Sequence, residues 1–221
     1  MTGEAPNTPH NVTLSKPYYI GVFEMTDGQW ARIVGDGKAK TSIMPYGTGS
    51  WSSIRGNAGI KAKPTSGVFA ILYSKLGLRF DFPTVKMWEI AARAGSTDIH
   101  QGGSASAKLN YAWLTDNNGK ALKPCGTRLP NSWGLYDVIG NVWEQTLDAW
   151  DSSTDLALLQ TNPLVPFTSG VQTRMELRGG GNNTSSGDVY STYSCRSPAG
   201  WHHNTSSYHV GFRISFIPET L

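Results

Sequence analysis

Apolar and polar positions change period along the first half of this chain. Residues 17–25, PYYIGVFEM, mix aromatic and branched side chains and predict a first strand. Thr26-Asp27-Gly28-Gln29 follows, with Thr26 placed to cap a helix and Gln29 to reach back as its capping-box partner. That helix is expected to run to about Val34, with Gly35 as its stop. Residues 38–59 are rich in Gly, Ser and Thr and predict irregular chain, anchored in the core by Trp51. Pro64-Thr65-Ser66 opens a second helix whose apolar face is Val68, Phe69, Ile71, Leu72 and Leu76, and Gly77 closes it. A short strand over 78–82 leads to a third helix, VKMWEIAARAG. Thr84 is its N-cap, Trp88, Ala91 and Ala92 its inward face, and Gly95 its end.

The second half is patterned differently. Residues 96–130 read as loop, with turns at Gly102-Gly103 and Asp116-Asn117-Asn118-Gly119. Residues 131–150, NSWGLYDVIGNVWEQTLDAW, are the densest motif, and their aromatic side chains are expected to pin an irregular backbone that turns at Gly134 and Gly140. Residues 151–172 are polar and read as a surface connection. Residues 210–216, VGFRISF, alternate and predict one half-buried strand. Helices come early and short strands late, with no βαβ alternation and no internal repeat. The pattern implies one α+β domain over residues 17–217 behind a flexible leader, residues 1–16.

Composition narrows the function classes. The 221 residues are 38% hydrophobic and 16% charged, with 25 Gly and 8 Trp, which suits a globular, loop-rich chain. The formal charge is +3 with Lys and Arg scattered, so nucleic-acid binding has no electrostatic footprint. No apolar run is long enough to insert into a membrane. Cys125 and Cys195 leave a disulfide open, with two free buried thiols the preferred reading. Adjacent His202 and His203 have poor metal geometry and read as two exposed side chains.

One tract stands apart. About two-thirds of residues 182–209 are Asn, Ser, Thr, Tyr or His, with no Lys or Glu. Two readings are open. One is a polar loop or disordered tract, although disorder goes with few aromatics. The other is a recognition surface of the antibody type, in which Tyr and Trp supply rigid contact area and Ser, Asn and Gly supply adaptable hydrogen bonds.

Residues 130–144, PNSWGLYDVIGNVWE, resemble the formylglycine-generating enzyme, or sulfatase-modifying factor, family. So do Tyr19 to Thr26, the Phe82-Pro83-Thr84 to Gly95 helix, Arg178-Gly179-Gly180 and Gly211-Phe212-Arg213. The resemblance implies a C-type-lectin-like fold of the formylglycine-generating subtype: short twisted strands, few helices and much ordered loop. The family's oxidase chemistry uses two cysteines that would fall near Thr184 and Val189. Neither residue can act as a thiolate nucleophile or copper ligand.

A second resemblance is to the variable proteins of diversity-generating retroelements, which use this fold. It is carried by Arg178-Gly179-Gly180, Cys195-Arg196-Ser197 and the Ser207 to Arg213 run. Randomised adenines in Asn-type codons yield Asn, Ser, Thr, Tyr, His, Asp and Gly but not Lys or Glu, matching the tract. The resemblance implies a non-catalytic display protein, exposed on a cell or virion surface, whose diversified region (about 181–209) recognises a protein or glycan on another cell or host surface. The candidate contact residues are Asn182, Asn183, Thr184, Ser186, Asp188, Tyr190, Tyr193, Trp201, His202, His203, Ser206, Ser207, Tyr208 and His209. The alternatives are an oxidase of the family and a calcium-dependent lectin. No cofactor is required. The family resemblance implies a structural calcium on the Gly140 and Val142 carbonyls and the Glu144 carboxylate. The competing reading of Glu144 is a buried ion pair with an Arg such as Arg213.

Overall fold

Three helices form where the sequence predicts them, and two more form in stretches expected to be irregular. In a computed structural model describing residues 11–37, 39–56, 64–98, 101–104, 106–150, 161–167, 174–185 and 201–218, α1 spans Asp27–Val34. Thr26 Oγ1 accepts from the Gln29 amide at 3.1 Å, and Gln29 Oε1 accepts from the Thr26 amide at 2.9 Å. This satisfies two amides that a helix start otherwise leaves bare. α2 (Trp51–Arg55) lies inside the stretch expected to be irregular. Ser50 caps it, and Trp51 is fully buried with its indole N–H donated to the Thr146 carbonyl at 3.0 Å. α3 (Gly67–Leu76) packs on α1 and α2 through Val68, Phe69 and Leu72, while Leu76 is exposed. α4 (Val85–Arg93) is capped by Thr84 and buries Trp88, Ala91 and Ala92. It stops at Ala94, in the left-handed region at φ 48°, one residue before the expected glycine. The loop 96–130 also holds one 3-10 turn, Ala107–Asn110, and a one-turn helix, α5 (Thr115–Asn118).

The strands are β1 (Tyr19–Ile20), β2 (Phe80–Asp81), β3 (Trp143–Ala149), β4 (Arg174–Arg178), β5 (Trp201–His202), β6 (Val210–Gly211) and β7 (Ser215–Phe216). They form a three-stranded sheet, β1-β7-β2, and a four-stranded sheet, β5-β4-β3-β6, in which only the β3–β6 pairing is parallel. The single strand expected over 210–216 is therefore two, and the chain changes sheets between them. Period-two burial fails there because Phe212 and Arg213 are both buried. Phe212 meets Trp30, Tyr46, Phe69 and Phe82 edge to face. Arg213 turns to Glu144.

The motif at 131–150 ends not in irregular chain but in β3, the longest described strand. Six consecutive residues of it are buried, so neither alternation nor hydropathy exposes it. Its polar side chains are bonded inside. Gln145 Nε2 donates to the Gly49 carbonyl at 3.0 Å and Thr146 Oγ1 to the Glu176 carbonyl at 3.0 Å. The Asp148 carboxylate receives the Val85 and Val165 amides at 2.7 and 3.0 Å. The leader reading also needs trimming. Thr13 bridges Thr161, and the Asn162 side chain bonds the Ser15 amide and hydroxyl. Residues 13–15 are thus docked; residues 1–10 lie outside the described residues.

Candidate functional site

The four-stranded sheet holds both ends of the polar tract. β4 delivers the chain to Gly179 and Gly180, at φ 91° and 75°, where a side chain would be strained. On the return, Trp201 and His202 pair with Met175 and Arg174, and Val210 pairs with Trp143.

Asn182 is the first anchor, and its burial corrects the expectation that it contacts a ligand. It is 0% exposed. Its amide donates to the Asn141 carbonyl at 2.7 Å and its carbonyl accepts from Asn118 Nδ2 at 2.8 Å. Nδ2 donates to the Lys120 carbonyl at 3.1 Å, and Oδ1 lies 2.6 Å from His209 Nδ1. With Nδ2 committed as donor, Oδ1 is the acceptor and His209 carries its proton on Nδ1. Burial lowers the His209 pKa, which favours the neutral ring this bond uses.

Asn141 sits beneath and was not singled out by the sequence reading. It is fully buried at φ 55°, and it bonds Trp113, Lys123, Glu24 and Asn182 at once. The available signal was its place after Gly140, since Asn tolerates the left-handed region. Gly140 itself, at φ 81°, passes so close to Trp113 that a Cβ would lie 2.3 Å from that carbonyl oxygen.

Thr184 is held as a turn residue. Its hydroxyl accepts from the Gly181 amide at 3.0 Å, its amide donates to the Gly181 carbonyl at 2.9 Å, and its carbonyl receives the Thr115 amide at 3.0 Å. Asn183 between them is exposed.

On the return, the His203 carbonyl accepts from the Ser52 amide and hydroxyl, both at 3.0 Å. Trp201 is half-buried and donates its indole N–H to the Thr205 carbonyl at 2.9 Å. His202 is exposed and His203 half-buried. Their rings stack, 4.9 Å apart at 18°, and His203 also packs on Phe167, so it is not the exposed side chain expected. Ser206 is exposed, Ser207 half-buried and Tyr208 57% exposed, its ring resting 3.7 Å from that of His209. Gly47 lies under Tyr208 so closely that a Cβ would meet the Tyr208 carbonyl oxygen at 2.4 Å. The described part of the tract thus combines a clamped main chain with outward Asn183, His202, Ser206 and Tyr208. Ser186, Asp188, Tyr190 and Tyr193 lie outside the described residues, as does Cys195.

Below this face is a layer of buried charge. Both Glu144 oxygens receive the Arg213 guanidinium at 2.6 Å, and Oε2 also receives the Trp88 indole N–H at 2.7 Å. The pair is 1% exposed on each side. The calcium set of Gly140, Val142 and Glu144 therefore does not fit this arrangement: its one carboxylate is already neutralised and hydrogen-bonded. The Val142 amide is bound by Glu24 Oε1 at 3.1 Å.

Cys125 is a free, buried thiol. Burial pushes its pKa far up, and Glu24 and Asp137 add to the shift. A thiol held protonated is a poor nucleophile.

Short strands in two sheets, few helices and long ordered loops around this charged core define a C-type-lectin-like domain of the formylglycine-generating subtype. The chain belongs to the sulfatase-modifying factor enzyme 1-like domain family, whose model matches residues 1–216. It is 30% identical over 166 residues to the formylglycine-generating enzyme of Mycobacterium tuberculosis, covering 67% of this chain and 54% of that one. It is 24% identical over 185 residues to the chaperone protein LppX of Paenibacillus barcinonensis, covering 65% of this chain and 66% of that one. The chain thus spans only half to two thirds of the length of these relatives. Treponema denticola variable protein 1 superposes with a TM-score of 0.75 over 99% of this chain and 90% of its own, at 22% identity. Among the described residues no helix is long and apolar enough to cross a membrane.

Proposed function

We propose that this chain is a non-catalytic display protein, the variable protein of a diversity-generating retroelement, whose C-terminal face recognises a protein or glycan on another cell or host surface. One observation carries the reading. The tract is clamped at both ends by main-chain bonds and by the contact of the buried Asn182 with the half-buried His209, while Asn183, His202, Ser206 and Tyr208 project outward. A scaffold of this kind lets exposed side chains change without moving the backbone that presents them. Tyr208 and Trp201 supply aromatic area, and the surrounding amides and hydroxyls supply adaptable bonds. The likeness in fold to a protein named as variable supports the same reading. The protein would stand exposed on a cell or virion surface.

Against the family's oxidase chemistry stands Thr184, which caps its own turn near the position where the resemblance implies a cysteine. The buried Cys125 does not substitute, because that chemistry uses a pair of cysteines and no second thiol lies beside Cys125 among the described residues. Sequencing sibling copies and the neighbouring DNA tests the proposal. Divergence concentrated in residues 182–209, beside a near-copy of the 3′ coding end and a reverse transcriptase gene, supports it. Divergence spread evenly along the gene, or copper-dependent turnover of a cysteine peptide, overturns it.

A further inference from the structure

Glu24, Cys125 and Asp137 come from three separate stretches of chain, and each offers a ligand atom within 4.8 Å of the others. All three are buried: Glu24 is 0% exposed, Asp137 2% and Cys125 8%. Two independent features show that this pocket is incomplete as a purely protein arrangement. Asp137 Oδ2 accepts from the Gly126 amide at 2.6 Å, but Asp137 Oδ1 is buried and accepts from no described group. An orphaned carboxylate oxygen in the interior is costly and needs a partner.

The second feature is charge. The titratable groups facing one another here are the carboxyl groups of Glu24, Asp137 and Glu144 and the guanidinium of Arg213, and burial pushes the Glu24 and Asp137 pKa values up. Arg213 is held by both oxygens of Glu144. Among the described residues Arg213 is the cation acting on Glu24 and Asp137, and it is shared with Glu144, so the charge left over calls for a proton or a bound positive ion. Glu24 Oε2 already receives Asn141 Nδ2 at 2.7 Å and the Cys125 thiol at 3.4 Å, which points it towards the sulfur.

We infer that Glu24, Cys125 and Asp137 form a divalent transition-metal site, with zinc as the ion their chemistry fits. Zinc accepts sulfur and carboxylate oxygen together, whereas calcium and magnesium avoid sulfur. Binding replaces the Cys125 S–H bond with an S–Zn bond and releases that proton, together with any proton held by Glu24 or Asp137, to solvent; no electron is transferred. The ion would supply Asp137 Oδ1 with its partner. It would also tie residues 24, 125 and 137 beneath Asn141 and so stiffen the support of the Asn182 turn. The site is structural, because its three ligands are buried and distant in function from the exposed side chains above. It stands or falls independently of what those side chains recognise.

The test uses the full chain, stripped with chelator, dialysed against micromolar zinc, and assayed by plasma mass spectrometry. The same is done with cobalt, read by its thiolate charge-transfer band. The expected result is one metal per chain, a cobalt–thiolate band and proton release on binding. Cys125→Ala abolishes the band, and Asp137→Asn weakens affinity by more than the roughly 10–100-fold that loss of an outer-shell partner costs. His202→Ser with His203→Ser leaves both unchanged, which separates this site from adventitious surface binding. Folding of each variant is checked by circular dichroism, but the wild-type measurement alone can overturn the proposal. No bound metal, or metal without a thiolate band, rejects it. So does a metal-free wild type accompanied by a more stable Asp137→Asn, which would identify a proton shared between Glu24 and Asp137 instead.

Discussion

Asn182 Oδ1 meets His209 Nδ1 at 2.6 Å, and this contact closes the two ends of a polar tract onto each other. Asn182 makes three further bonds with other loops, so its amide group has every polar atom occupied. Its surface neighbour Asn183 is exposed. Two adjacent residues of one type therefore have opposite tasks.

Asn182→Ala should destabilise the fold by about 1–3 kcal/mol, from two hydrogen bonds of about 0.5–1.5 kcal/mol each that this buried side chain makes to the Lys120 carbonyl and the His209 ring. Asn183→Ala should stay within about 0.5 kcal/mol, as substitutions on an open surface do. Urea unfolding of the two variants measures the contrast. Equal effects would remove the distinction between frame and face.

Tyr208→Ser and Ser206→Tyr should each leave stability within about 0.5 kcal/mol. Gly47→Ala should not. The new Cβ would meet the Tyr208 carbonyl oxygen at 2.4 Å, a backbone atom that cannot rotate away. Overpacking of this kind costs about 1–3 kcal/mol. Thermal melts of the three variants decide it, and a Gly47→Ala protein as stable as the parent would refute the close approach.

Breaking the Glu144–Arg213 pair from one side should be the most damaging single change. Arg213→Met removes the cation and leaves a buried carboxylate with Trp88 as its one remaining donor among the described residues, a loss of about 3–5 kcal/mol. The double change Glu144→Gln with Arg213→Met should recover part of that loss, because residue 144 then carries no charge that needs a partner. A double-mutant cycle in denaturant gives the coupling, and strict additivity would contradict the pairing.

Asp148 carries a pH signature. Burial is the main cause of its carboxyl being pushed up to about 6, opposed by the Val165 and Val85 amides. The unfolded chain releases this proton near about 4. Between those values the folded state holds more protons than the unfolded one. Stability from this group is therefore full below about 4 and falls as pH rises to about 6. Carbon-detected NMR titration should place the Asp148 midpoint on the high side. A midpoint at or below 4 would show the carboxylate to be better solvated than its burial implies.

Much of the helical framework was legible because its signals are local. Thr26 with Gln29, Thr84, and the Gly35 and Gly77 stops each act within one helical turn, and all four lie at the ends they predict. β3 was illegible for the opposite reason. Its Gln145, Thr146 and Asp148 look solvent-facing until their partners at Gly49, Glu176, Val85 and Val165 arrive from distant segments. The same holds at the face. Composition singled out the whole tract, but it could not tell Asn182 from Asn183, because only the approach of Lys120, Asn118 and His209 buries one of them.

By itself, then, the amino-acid order determined where α1, α3 and α4 begin and, to within a residue, where they end, that the domain is α+β, and that residues 182–209 are chemically set apart. Those properties come from caps, glycine stops and side-chain type, which act over a few residues. Tertiary structure decided which polar groups face inward, how 210–216 divides between two sheets, and that Glu144 meets Arg213. Each of these depends on groups far apart in the chain, and a buried charge declares itself only when its partner or its solvent exclusion is in place.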